Sequence, residues 1–121
     1  MADASSRAVC RVEELPPGTV KIVPLGKFGI GVFNVDGQYY GLLNYCPHRG
    51  GPLCLGRVTG LVEAGTAPYE ITWSRAGQFV RCPWHGIEFE IATGRSIALP
   101  AMAVRSYPVK VKDGFVVIEG A

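Results

Sequence analysis

The 121-residue sequence predicts an all-β protein built from antiparallel strands. Three observations carry that prediction. Sixteen glycines and nine prolines break the chain into short apolar stretches, at a spacing of about eight to twelve residues, as in strand-and-turn domains. No stretch has the periodicity of an amphipathic helix of ordinary length. Two Asp-Gly pairs, Asp36-Gly37 and Asp113-Gly114, are each flanked by apolar segments, and Asp-Gly is among the strongest short-range hairpin signals because both positions of a type I′ turn need positive φ.

The elements follow in order. "AVCRVEEL" and "TVKIVPL" flank "PPG", a turn in which proline fixes φ and glycine supplies a left-handed conformer. "GIGVFNV" and "QYYGLLN" form the hairpin around Asp36-Gly37. "YEITWS" and "QFVRC" are expected to form another around Arg75-Ala76-Gly77, with Tyr69, Ile71 and Trp73 on one face. "IEFEI" alternates Ile87, Phe89 and Ile91 against Glu88 and Glu90, and "YPVKVK" and "FVVIEG" close the chain around Asp113-Gly114. There is no internal repeat and no low-complexity segment.

Composition narrows the function. With 121 residues and 48% hydrophobic content the chain is long enough for one compact domain with a real core but short for a second, so a single domain over residues 1–121 is expected. The net charge of +2 is scattered without a Lys/Arg run, which argues against a nucleic-acid partner. "MADASSRAVCRVEELPPG" lacks the apolar core of a secretory signal, and no apolar run reaches membrane-spanning length. A cytoplasmic protein with no membrane partner is expected, in which four cysteines serve as thiols, metal ligands or catalytic groups rather than as a disulfide framework.

Two short stretches carry the chemistry. In "YCPHRGGPLCLG", Cys46 and His48 stand two apart; in "RCPWHGIEF", Cys82 and His85 stand three apart. Each pair falls between strands, with a proline directly after the cysteine (Pro47, Pro83) and glycine beyond (Gly50, Gly51, Gly86). Taken singly, a Cys-x-His has a bland explanation, since cysteine is commonly a small buried hydrophobe. Two such pairs, each offering a thiolate and an imidazole in a glycine-bearing loop, point to a metal site.

These residues resemble the two cluster-binding loops of Rieske [2Fe–2S] proteins, agreeing in ligand order, spacing and flanking residues. The likeness extends over "GVFNVDGQYYGLLNYCPHRGGPL" and "CPWHGIEFEIATGRSI", the core of small Rieske ferredoxins such as those of ring-hydroxylating dioxygenases. It implies a Rieske-type antiparallel β-sandwich or barrel, with a cluster-binding subdomain over about 44–98. It also implies that Cys46 and Cys82 hold one iron and His48 and His85 the other. Two ferric ions, two sulfides and two thiolates sum to zero charge, whereas four thiolates leave two more negative charges. Rieske potentials therefore span roughly −150 to +300 mV, against about −400 mV for plant-type clusters. Neutral imidazoles also couple reduction to protonation at His48 or His85.

The same resemblance places the chain within the family. Respiratory bc-type members carry an extra cysteine in each loop, joined as a disulfide, and a serine after the second loop's glycine. Here Pro83 and Trp84 fill the second loop, Ile87 follows Gly86, and Cys54 has no partner cysteine. A potential at the low end of the range is implied. The chain has two histidines and the cluster would use both, so none remains for an oxygenase's mononuclear iron. There is also no G-x-G-x-x-G fingerprint in a strand–helix context. What remains is a one-electron carrier between a flavin- or NAD(P)H-dependent reductase and a terminal oxygenase. A Rieske small subunit of a nitrite reductase, and a structural zinc module using two cysteines and two histidines, are the alternatives.

Other residues have two readings. Between His48 and Cys82 lie 33 residues, more than the compact dioxygenase ferredoxins use; an inserted hairpin over about 57–80 either selects a partner or is a tolerated surface insertion. Trp84 is expected to cover the cluster apolarly, Arg49 to dock an acidic partner or to be merely solvated, and Leu99-Pro100 to supply a third loop. Cys10 and Cys54 are expected to be buried, unreactive thiols.

Overall fold

The computed structural model describes residues 6–47, 50–64, 71–84, 86–96, 98–99 and 101–120. Their backbone forms ten strands in three antiparallel sheets. The first sheet joins β1 (Arg7–Arg11), β10 (Phe115–Ile118) and β9 (Val109–Lys112), in that order. The second runs β2 (Val20–Val23), β3 (Ile30–Val35), β4 (Gln38–Leu43) and β8 (Ser106–Tyr107). The third comprises β5 (Arg57–Ala64), β6 (Ile71–Arg81) and β7 (Glu88–Glu90). All pairings are antiparallel, so the expected fold class holds.

Both Asp-Gly hairpins form. Val35 pairs with Gln38 across Asp36 (φ 51°) and Gly37 (φ 90°), and Lys112 pairs with Phe115 across Asp113 (φ 53°) and Gly114 (φ 80°). Turn chemistry alone fixes their registers. The strands flanking Pro16-Pro17-Gly18 do not pair with each other: β1 crosses to β10, and β2 pairs with β3. The turn expected at Arg75-Ala76-Gly77 is a correction. Residues 71–81 form one continuous strand, and the register shifts opposite Thr59 and Leu61. Gly77, at φ 80°, belongs to a β-bulge, which needs the same conformer a turn would. Tyr69 lies outside the described residues.

β3 is the central strand and is buried on both faces. Ile30 and Val32 enter one core with Cys10, Leu15, Tyr107, Val116 and Ile118. Phe33, one residue out of phase, enters the other with Leu42, Leu53, Val80, Phe89, Ile91 and Val104. This period-2 division explains why "IGVFNV" reads as almost continuously apolar. At about 1.5–3 kcal/mol for each large side chain fully buried, this second core anchors what sits above it. Above it sit Cys46, Cys54 and Cys82, which are part of the same cluster.

Candidate metal centre

The two cysteine loops emerge from strand ends that the second core holds together. The first leaves β4, whose next residue, Asn44, donates its N–H to the Gly29 carbonyl at 2.9 Å. The second spans the gap between β6 and β7, strands paired through Arg81–Glu88, Val80–Phe89 and Phe79–Glu90.

Inside the loops the hydrogen bonding is the same. Cys46 N–H donates to the Gly51 carbonyl (2.8 Å), and Gly50 N–H returns to the Cys46 carbonyl (2.7 Å). Cys82 N–H donates to the Ile87 carbonyl (2.9 Å), and Gly86 N–H returns to the Cys82 carbonyl (2.9 Å). Gly50 and Gly86, each four residues after its cysteine, have φ of 77° and 72°. That left-handed conformation closes the turn and favours glycine over any side chain. Proline after each cysteine pre-sets φ where no N–H is needed. The loops differ in where their histidines stand: His48 is second after its cysteine, His85 third. His48 and His85 lie outside the described residues, as do Arg49 and Pro100.

The Cys46 and Cys82 side chains are 0% and 1% exposed, and no disulfide joins any of the four cysteines. Between the loops, Trp84 packs on the backbone of Gly51 while remaining 58% exposed. Gly56 lies against the Arg81 carbonyl so closely that a Cβ there would collide with it, which binds the exit of the first loop to the root of the second. Leu99 and Pro47 line one apolar surface cavity of about 590 Å³, together with Met102, so the segment carrying Leu99 does approach the first loop.

Cys54 sits behind the first loop, fully buried. Its N–H donates to Asn44 Oδ1 at 2.9 Å and its thiol to the Leu42 carbonyl at 3.4 Å. Burial pushes that thiol up to about 12, against a smaller opposing pull from the Gly31 backbone hydrogen bond. Cys10, in β1, is likewise raised, chiefly by burial. Neither thiol is disposed to ionise and react. The sequence reasoning missed Tyr45 and Arg81, the residues immediately before the two cysteines, which lie over Gly50 and Gly86 respectively. The available signal was the shared offset of four residues from each cysteine to its glycine.

Two buried thiols in one core cluster, carried on loops of matched backbone geometry, suit iron–sulfur ligation: thiolate is the soft ligand such clusters take, and burial keeps it from water. Comparison with known proteins agrees. The Rieske [2Fe–2S] domain pattern matches residues 5–108. The chain belongs to the Rieske [2Fe–2S] family. Among relatives of this Rieske chain, human apoptosis-inducing factor 3 is 32% identical over 111 residues, covering 91% of this chain and 16% of that protein. The chain thus spans about a sixth of that relative's length. The 3-phenylpropionate/cinnamic acid dioxygenase ferredoxin subunit of Photorhabdus laumondii is also 32% identical over 111 residues, covering 91% of this chain and 90% of the subunit. In the structure of a complex of reduced oxygenase and oxidized ferredoxin in carbazole 1,9a-dioxygenase, one chain is 26% identical, with a TM-score of 0.73, covering 98% of this chain and 95% of that one.

The Rieske chain therefore carries a Rieske-type [2Fe–2S] cluster. This membership does not favour a structural zinc module. Among the described residues no helix is long and apolar enough to cross a membrane.

Proposed function

We propose that this Rieske chain is the soluble, cytoplasmic ferredoxin of a multicomponent dioxygenase, taking single electrons from a flavin- or NAD(P)H-dependent reductase and passing them to a terminal oxygenase. Its residues would hold the cluster as two pairs, with Cys46 and Cys82 on one iron and His48 and His85 on the other, within a single domain whose cluster-binding part spans about 44–98. The observation that carries this reading is the matched pair of loops. Each buries its cysteine and closes it with the same two backbone hydrogen bonds. A cluster held there supplies a one-electron couple whose oxidised form is uncharged. The protein's part is to keep water from the thiols, through the buried core to which both cysteines belong. The ferredoxin subunits among the relatives, spanned almost end to end by this chain, support the dioxygenase assignment over the nitrite reductase one.

The test is spectroscopic and kinetic. Anaerobically purified protein, reduced and examined by EPR, is expected to give the rhombic signal of a His-ligated [2Fe–2S] cluster, and mixing with a terminal dioxygenase is expected to reoxidise it. His48→Cys adds negative charge at the second iron and should lower the midpoint potential. An unchanged potential would remove His48 from the ligand set.

A further inference from the structure

We propose that Tyr45 and Arg81 are equivalent latches, each folded over the glycine that closes its own ligand loop, and that they differ in charge so that the second latch, unlike the first, itself adds a positive charge at its loop. The inference rests on the ligand assignment above. Both residues immediately precede a cysteine, and each covers the glycine four residues beyond it. A Cβ on Gly50 would lie 2.9 Å from Tyr45 Cε2, and one on Gly86 would lie 3.0 Å from both Nε and Nη2 of Arg81. A side chain at either glycine would have to displace its latch as well as adopt a left-handed φ.

The two latches are held differently. Arg81 donates its Nε–H to the Gly86 carbonyl at 3.2 Å, so its guanidinium spans the loop from the residue before Cys82 to the residue after His85. Tyr45 makes its hold with the ring, which meets Phe28 at 4.4 Å between centroids and 45° between planes. Phe28 in turn lies under the Lys27 ammonium, 5.5 Å from the ring centroid.

A latch is needed because each turn rests on two backbone hydrogen bonds, and proline removes a further donor from the loop. Water competes for bonds left open, and a side chain laid over the glycine excludes it. The charges then separate the loops. A neutral ring over the first loop leaves the reduced, more negative cluster unaffected, whereas a guanidinium over the second favours it and raises the potential.

The experiment uses the full chain carrying its cluster and follows two readouts: the rate of cluster loss under a chelator, and the midpoint potential by voltammetry. Arg81→Met is expected to lose the cluster about two- to tenfold faster, the range one exposed hydrogen bond spans, and to shift the potential down. Arg81→Lys should restore the potential, and Arg81→Gln should hold the cluster near the wild-type rate while keeping the lowered potential. Tyr45→Phe should match wild type, and Tyr45→Ala should shed the cluster faster without lowering the potential. Wild-type behaviour of Arg81→Met in both readouts, or failure of Arg81→Lys to restore the potential, overturns the proposal. A wild-type protein without a Rieske EPR signal would sink the ligand assignment instead, and this inference with it.

Discussion

The Trp84 indole, in the second loop, rests on the backbone of Gly51 in the first: a Cβ on Gly51 would come within 2.8 Å of Trp84 Cδ2. One side chain therefore reads the spacing of the two loops. Gly51→Ala must push the indole aside and is expected to speed cluster loss several-fold with little change in global stability. Trp84→Ala should speed it too, by admitting water. Because the alanine methyl harms only through the indole, the double variant should be no worse than Trp84→Ala alone, with a coupling of about 0.5–3 kcal/mol. Cluster absorbance followed in air checks this, and strictly additive effects would show that the two residues do not act through each other.

A second close approach lies beneath the loops. A Cβ on Gly31 would fall 2.5 Å from both Cβ and Sγ of Cys54, so Gly31→Ala overpacks the core and should cost about 1–3 kcal/mol. The same burial gives Cys54 a pH signature. Its folded pKa, about 12, is raised from an ordinary 9.0, so its contribution to stability is fully present below about pH 9 and is lost as pH rises towards 12. Cys10, also raised by burial, adds a loss of the same sign. Denaturant midpoints measured across this window should decline with pH, and Cys54→Ala should make the decline shallower. An identical slope in the variant would mean that the Cys54 thiol ionises as readily folded as unfolded.

Why some of this was legible in the sequence follows from distance along the chain. Asp36-Gly37 and Asp113-Gly114 specify their hairpins because two adjacent residues determine the turn. The pairing of β1 with β10 joins Arg7 to Ile118, and nothing local to either segment encodes that partner. Gly77 was misread because positive φ serves a bulge as well as a turn. At the site, the repeated Cys-Pro pattern singles out Cys46 and Cys82, which the structure buries in one core cluster with Cys54. Its reason for being cysteine, the missing side chain of Gly31, lies across the core on β3. Tyr45 and Arg81 stayed hidden because they share position and not chemistry.

Away from the loops, Asn34 is a buried polar residue whose amide is bonded through both its nitrogen and its oxygen. Its Nδ2 donates to the Leu15 carbonyl at 2.8 Å, and its Oδ1 accepts the Gly37 N–H at 2.8 Å. It ties the Asp36-Gly37 turn to the segment before β2, and its own backbone bonds Gly18 and Thr19. Asn34→Ala strands a buried carbonyl and a turn N–H, for an expected loss of about 1–3 kcal/mol. The midpoint potential should not move, since Asn34 does not touch either loop. A chemical denaturation curve coinciding with wild type would show that water replaces the amide without penalty.

The β5–β6 hairpin divides at its bulge. Below it, Arg57–Arg81, Val58–Val80 and Thr59–Phe79 pair directly beside the second loop, and Thr59 Oγ1 donates to Glu88 on β7 at 2.5 Å. Above it, Leu61 to Ala64 pair with Ser74 to Ile71 and extend away from the paired base that supports Cys82. Replacing residues 60–77 with a short turn therefore removes the outer arm and keeps every pairing that holds the second loop. Such a variant should retain its cluster, potential and EPR signal, because long loops and extensions add little to closure cost. Electron transfer to the native oxygenase, followed by stopped-flow reoxidation, should slow if the arm helps to seat the partner. Rates equal to wild type at every oxygenase concentration would make the arm a passive insertion, and cluster loss would mean that pairing beyond Thr59 supports the loop after all.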